Sequence, residues 1–116
     1  MNVEETLDFI KAQDPDGMEK LKRLLDRKSF LLDKNVYGET FTERQFKLVF
    51  DPLLRNGCDR ARLLQALSEK DDTVPGVAAR LSMEEWRTFD YIKDLLKRNM
   101  VEIAGAENRH PVYRKR

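Results

Sequence analysis

Residues 73–102 read TVPGVAARLSMEEWRTFDYIKDLLKRNMVE. Thr73 is placed to cap a short helix on which Val74, Val77, Ala78 and Leu81 share a face, with Pro75 in the first turn, where a missing N–H costs little. Ser82-Met83-Glu84-Glu85 has the form of a capping box, so Ser82 is expected to end that helix by opening the next. The second helix is predicted to run to about Asn99, with Trp86, Phe89, Ile92, Leu95 and Leu96 as its apolar residues. Asn99 can close it in a left-handed conformation. Then Met100-Val101-Glu102-Ile103 alternates like a strand, Gly105-Ala106-Glu107-Asn108 turns, and Pro111-Val112-Tyr113-Arg114 can return as its partner.

Upstream, Ala61, Leu63, Leu64 and Leu67 mark a helix over residues 59–69, which Asp71-Asp72 interrupts. Further back, Thr42-Glu43-Arg44-Gln45 reads as another capping box. The helix it opens carries Phe46, Val49, Phe50 and Leu53, and Pro52 is expected to bend or end it near Asp51, with Arg55-Asn56-Gly57 closing the segment. Val3, Leu7 and Ile10 predict a first helix and Met18, Leu21, Leu24 and Leu25 a second, from about Asp16 to Lys28, paired as a hairpin around Asp14-Pro15-Asp16-Gly17. Between Ser29 and Phe41 the helical period disappears, which fits two short extended pieces or an ordered loop.

The 116 residues fit one compact unit, organised as an N-terminal helical extension (1–57) and a domain over 58–116. Ten basic against eleven acidic side chains in the first part, and twelve against ten in the second, make too small a shift to mark a boundary by charge. One Cys and one His cannot assemble a Cys/His zinc cluster, and no cofactor motif is present. The early acidic residues and short apolar runs argue against a signal peptide or a membrane span, so the expected location is cytoplasmic. A net charge of +1 is far from the excess of a protein that coats nucleic acid, so any such binding has to be local.

Thr73-Val74 with Val77-Ala78-Ala79-Arg80-Leu81, then Leu95-Leu96-Lys97-Arg98-Asn99-Met100-Val101-Glu102, resembles the winged helix-turn-helix of bacterial regulators of the MarR and ArsR type over residues 59–116. Asn99, and Ser82 in the turn, stand where many of those proteins have Gly. The resemblance implies a mainly α, α+β fold with a C-terminal β-hairpin wing. It also implies duplex DNA binding as a homodimer, in transcriptional regulation. Its recognition helix corresponds to Glu84–Tyr91, which makes Arg87, Thr88 and Tyr91 the candidate DNA contacts there. Arg109, His110, Arg114, Lys115 and Arg116 are the candidates on the wing and tail, and Arg60, Arg62 and Arg80 are possible phosphate contacts. Helices outside the winged helix usually form the dimer in such proteins, which nominates the faces Leu21/Leu24/Leu25 and Phe46/Val49/Phe50.

Against the DNA reading, residues 83–98 sum to zero charge, and Glu84 and Glu85 would face phosphates with like charge. The competing reading is a protein-interaction module or small subunit of a complex, with Glu84, Glu85, Trp86 and Phe89 facing a partner. Aromatic side chains dominate cores, so Trp86 and Phe89 are expected to pack inward with Ile92 and Leu96. An outward Trp between acids would instead describe a protein-binding face. Cys58 reads as an inert thiol ahead of a redox sensor, and no arrangement supports catalysis, so no enzyme is expected.

Overall fold

Asn2 caps the first helix by accepting the Glu5 N–H on its side-chain oxygen at 2.8 Å. This is α1 (Val3–Gln13), and in the computed structural model, which describes residues 2–28 and 43–116, a single residue separates it from α2 (Pro15–Asp26). The second helix therefore begins one residue earlier than its periodicity implied, because Pro15 occupies the first turn and Asp14 caps it by accepting the Gly17 N–H at 3.0 Å. Gly17 leaves room for that cap, since a Cβ would run into the Asp14 carboxylate and displace it. The expectations for residues 29–41, and for Thr42 as a cap, lie outside the described residues.

The next helix, α3 (Glu43–Glu69), is continuous where the sequence suggested two. Pro52 strands the carbonyl of Leu48, but both residues are exposed and water can satisfy that oxygen. Gly57 lies inside this helix. A Cβ on it would sit 3.3 Å from Ile10 Cδ1 and 3.4 Å from Leu21 Cδ1, so the glycine permits close packing and does not terminate the helix.

The chain divides into two units, Met1–Cys58 and Asp59–Arg116. In the first, Ile10, Leu21, Phe46 and Phe50 are buried, with the two Phe rings stacked at 5.4 Å. This corrects the two faces nominated for a dimer. Leu21, Phe46 and Phe50 belong to the interior, and Leu48, Val49 and Leu53 are the exposed apolar residues of that helix segment.

The second unit is helical with a small antiparallel sheet: the end of α3, β1 (Asp72–Thr73), α4 (Val74–Leu81), α5 (Glu85–Lys97), β2 (Val101–Glu107) and β3 (His110–Lys115). Leu63, Leu64, Leu67, Val77, Ile92, Leu95, Val101 and Tyr113 form its core. Both helices after β1 end alike. Ser82 (φ 53°) and Asn99 (φ 57°) are left-handed, and the residue after each donates back to Ala78 and Leu95 respectively, both at 2.9 Å. Ser82 thus closes α4 and does not cap α5. The residue at the start of α5 is Glu84, whose side chain makes no capping bond.

The sheet order is β1-β3-β2, with Thr73 opposite Val112 and Asp72 opposite Tyr113. β1 was invisible to a periodicity reading because two residues show no alternation. Gly105, Ala106 and Glu107 lie within β2 and not in the turn, and a bulge between Ile103 and Gly105 absorbs the extra residue. The reversal is made by Asn108 and Arg109 alone, both at positive φ (50° and 68°), as a two-residue hairpin turn requires. Arg109 holds a conformation that suits Gly. Arg109→Gly is therefore expected to raise stability by about 1 kcal/mol, read as a higher denaturant midpoint with unchanged slope. No helix among the described residues is long and apolar enough to cross a membrane.

Candidate functional site

Helix α5 has two faces. Thr88, Tyr91, Ile92 and Leu95 recur at three and four residues and are buried. At about 100° per residue, Trp86 projects nearly opposite the centre of that stripe, Phe89 lies well off it and Leu96 borders it. Trp86 is accordingly 59% exposed and Phe89 44%. The expectation that both pack inward is corrected. The core positions between them are taken by Thr88 and Tyr91, whose polar ends are satisfied inside the unit.

The Thr88 hydroxyl donates to the Glu84 carbonyl at 2.8 Å and the residue is fully buried. The Tyr91 hydroxyl donates to Asp59 Oδ2 at 3.1 Å, with the Arg60 guanidinium 5.8 Å from its ring. Neither hydroxyl is presented to a ligand, so their nomination as DNA contacts is withdrawn. Burial, then the negative charge of Asp59 and the hydrogen bond to it, push Tyr91 above the ordinary tyrosine value of 10.0. The folded state then holds this proton to higher pH than the unfolded chain does. Its contribution to stability is intact below the ordinary value and is lost as pH rises through the raised one. Tyr91→Phe is expected to abolish that alkaline loss, measured as the change in urea midpoint between about pH 9 and about pH 11.

The candidate DNA-binding cations are mostly engaged. Arg87 lies 3.9 Å from Glu84 Oε1 and over the Trp86 ring at 5.4 Å. Arg114 donates to Glu102 Oε1 through two nitrogens at 3.0 and 2.7 Å, and Arg116 stands 3.7 Å from the same carboxylate. Arg62 donates to the Leu81 carbonyl at 2.7 Å, and Arg80 to the Ala66 carbonyl at 3.0 Å and to Asp72 at 3.2 Å. Arg60 lies 3.8 Å from Asp94. Arg60, Arg62 and Arg80 tie the end of α3 to the following elements, a role that sequence position did not reveal. Among the described residues, Arg109, His110 and Lys115 make no ion pair.

What the fold does assemble is an open groove of about 450 Å³ from three elements. Val74 and Pro75 open α4, Glu85, Trp86 and Phe89 come from the first turns of α5, and His110, Pro111 and Tyr113 from β3. The Trp86 Nε1–H donates to Glu84 Oε2 at 2.6 Å. Lys93 Nζ stands 5.0 Å over Phe89 while pairing with Asp90 at 3.1 Å. The Trp86 ring is thus held at its N–H edge by Glu84, and the Lys93 ammonium lies over the face of Phe89. Of the other two residues of the alternative protein face, Glu85 lines the groove and Glu84 accepts from Trp86 outside its lining. Val74, Pro75, Pro111 and Tyr113 could not be found from sequence because each belongs to a separate local pattern. Among the described residues no group of His, Cys, Asp and Glu is placed to hold a metal ion.

Comparison with known proteins returned no match: no family model, no curated protein and no solved structure.

Proposed function

We propose that this chain is a protein-docking module built on a winged helix-turn-helix, whose groove receives a segment of a partner protein. The order of elements from the end of α3 to β3, with a left-handed turn before α5 and a tight hairpin after it, supports the winged-helix part of this reading. The observation that carries the docking part is the outward pair Trp86 and Phe89 above an apolar groove, on a helix whose cations are largely neutralised by their own neighbours. Exposed aromatics at a groove are the usual anchors of protein interfaces, whereas a DNA reader needs cations and polar ends directed outward.

The test is selection from a random peptide display library on the immobilised full chain, with Trp86→Ala as the parallel bait. Peptides enriched on the native chain and lost on the variant support the reading, and no Trp86-dependent enrichment overturns it.

A second reading, duplex DNA binding by a homodimeric regulator, is favoured by one observation. Arg109 is held in a strained left-handed conformation at the hairpin tip, with His110 beside it and Lys115 at the far end of β3, all without ion-pair partners among the described residues. Anisotropy of a labelled random duplex titrated at several salt concentrations decides it. Saturable binding that falls steeply with salt favours DNA, and its absence at low salt removes that reading.

A further inference from the structure

Glu85 differs from the other acids of α5. Glu84 is answered by Arg87 and the Trp86 N–H, Asp90 by Lys93, and Asp94 by Arg60 and Arg98. Glu85 has no ion pair or hydrogen-bond partner from its side chain among the described residues, yet it lines the groove with Trp86 and Phe89. Apart from the imidazole of His110, every other lining side chain is apolar or aromatic. A single unanswered carboxylate on an apolar wall sets both the charge and the character of what fits.

We infer that the groove takes a peptide segment carrying one Arg or Lys beside aliphatic or aromatic residues, its cation received by Glu85 and its apolar neighbours by Trp86, Phe89 and Pro111. The inference rests on the docking reading above and adds the partner's chemistry. An acidic segment is disfavoured, because its carboxylates would meet the unanswered charge of Glu85 in the groove lining. An inorganic cation has no apolar surface to cover Trp86 and Phe89, whereas a groove open to solvent and drawn from three elements suits a stretch of chain. Recognition divides accordingly: the aromatic walls supply most of the affinity, and the carboxylate supplies selection and orientation.

The probes are the peptides recovered from the display library, selected in parallel on the native chain, Glu85→Gln and Glu85→Lys, with each variant first shown by circular dichroism and thermal melting to keep the native fold. Sequences enriched on the native chain are expected to carry Arg or Lys next to apolar residues. Their Kd, followed by the fluorescence of the single Trp, is expected to rise about fivefold on Glu85→Gln. On Glu85→Lys the selection is expected to shift towards Asp and Glu. Enriched peptides that depend on Trp86 but show no charge bias, or that bind Glu85→Gln equally well, overturn this inference and leave the docking reading standing. No Trp86-dependent enrichment on any bait overturns both.

Discussion

Trp86→Ala is expected to weaken binding of groove-directed peptides by at least about thirtyfold, equivalent to roughly 2 kcal/mol, while changing the stability of the chain by less than about 1 kcal/mol. The two numbers differ because of where the indole lies. At 59% exposed it displaces little water on folding, and its contacts are a hydrogen bond to Glu84 and the Arg87 guanidinium, both at the surface. Removing it leaves Glu84 and Arg87 to meet water and to keep their existing pair, at a site already open to solvent. On binding, the same indole is the large apolar surface newly covered, which is the property of interface residues that dominate affinity. Peptide titrations for the binding term, and urea denaturation followed by circular dichroism for the stability term, read the two effects separately. A stability loss of several kcal/mol would place Trp86 in the core and remove the basis of the docking proposal.

Two turns along the same helix the expectation is reversed. Ile92 is fully buried among Leu63, Leu64, Leu67, Val77, Leu95, Val101 and Tyr113. Ile92→Ala deletes carbon atoms from a core built with residues of α3, α4, β2 and β3 and leaves a cavity, for a cost of about 2–5 kcal/mol. Small domains have about 5–15 kcal/mol in total, so this one substitution is expected to lower the melting temperature sharply and to populate unfolded chains. Below the transition, where the variant is still folded, its affinity for the selected peptides is expected to stay close to native, because Ile92 does not line the groove. The pair of variants separates a residue that builds the scaffold from one that uses it.

The contrast between Trp86 and Ile92 also marks where reading by hydrophobicity fails. Both are apolar and both belong to α5, and grouping them by residue type puts them on one face. The helical wheel puts Thr88 and Tyr91 beside Ile92 and leaves Trp86 almost opposite. That arrangement is stable only because the Thr88 hydroxyl can reach a carbonyl of its own helix and the Tyr91 hydroxyl can reach Asp59. The first partner is local, but Asp59 is 32 residues away in the chain. No window of sequence around Tyr91 contains the reason it can be buried.

Local chemistry, by contrast, was legible at several points where the deciding atoms lie within a few residues. Thr73 caps α4 through the Gly76 N–H at 3.1 Å, Asn99 turns left-handed, and Leu63, Leu64 and Leu67 recur on the face that becomes the core. Pro52 and Gly57 were misread because their ordinary meaning as breakers was overridden from outside: by solvent at the Leu48 carbonyl, and by Ile10 and Leu21 pressing where a Cβ would stand. Ser82 ends α4 as the sequence implies but does not cap α5, since both roles suit a small polar residue and only the backbone angles distinguish them.

The sequence by itself determined α4 and α5, the left-handed closure at Asn99, the strand pair that follows and the lack of an overall charge that would coat nucleic acid, because these depend on spacing, capping chemistry and composition. Tertiary structure alone decided that β1 joins the sheet, that the arginines are drawn onto carbonyls and carboxylates, and that Glu85, Trp86 and Phe89 meet Val74, Pro75, Pro111 and Tyr113 around one groove. The physical reason is the same in each case: whether a side chain is buried, neutralised or left open depends on partners brought from distant positions, and their approach is set by packing and not by neighbours in the chain.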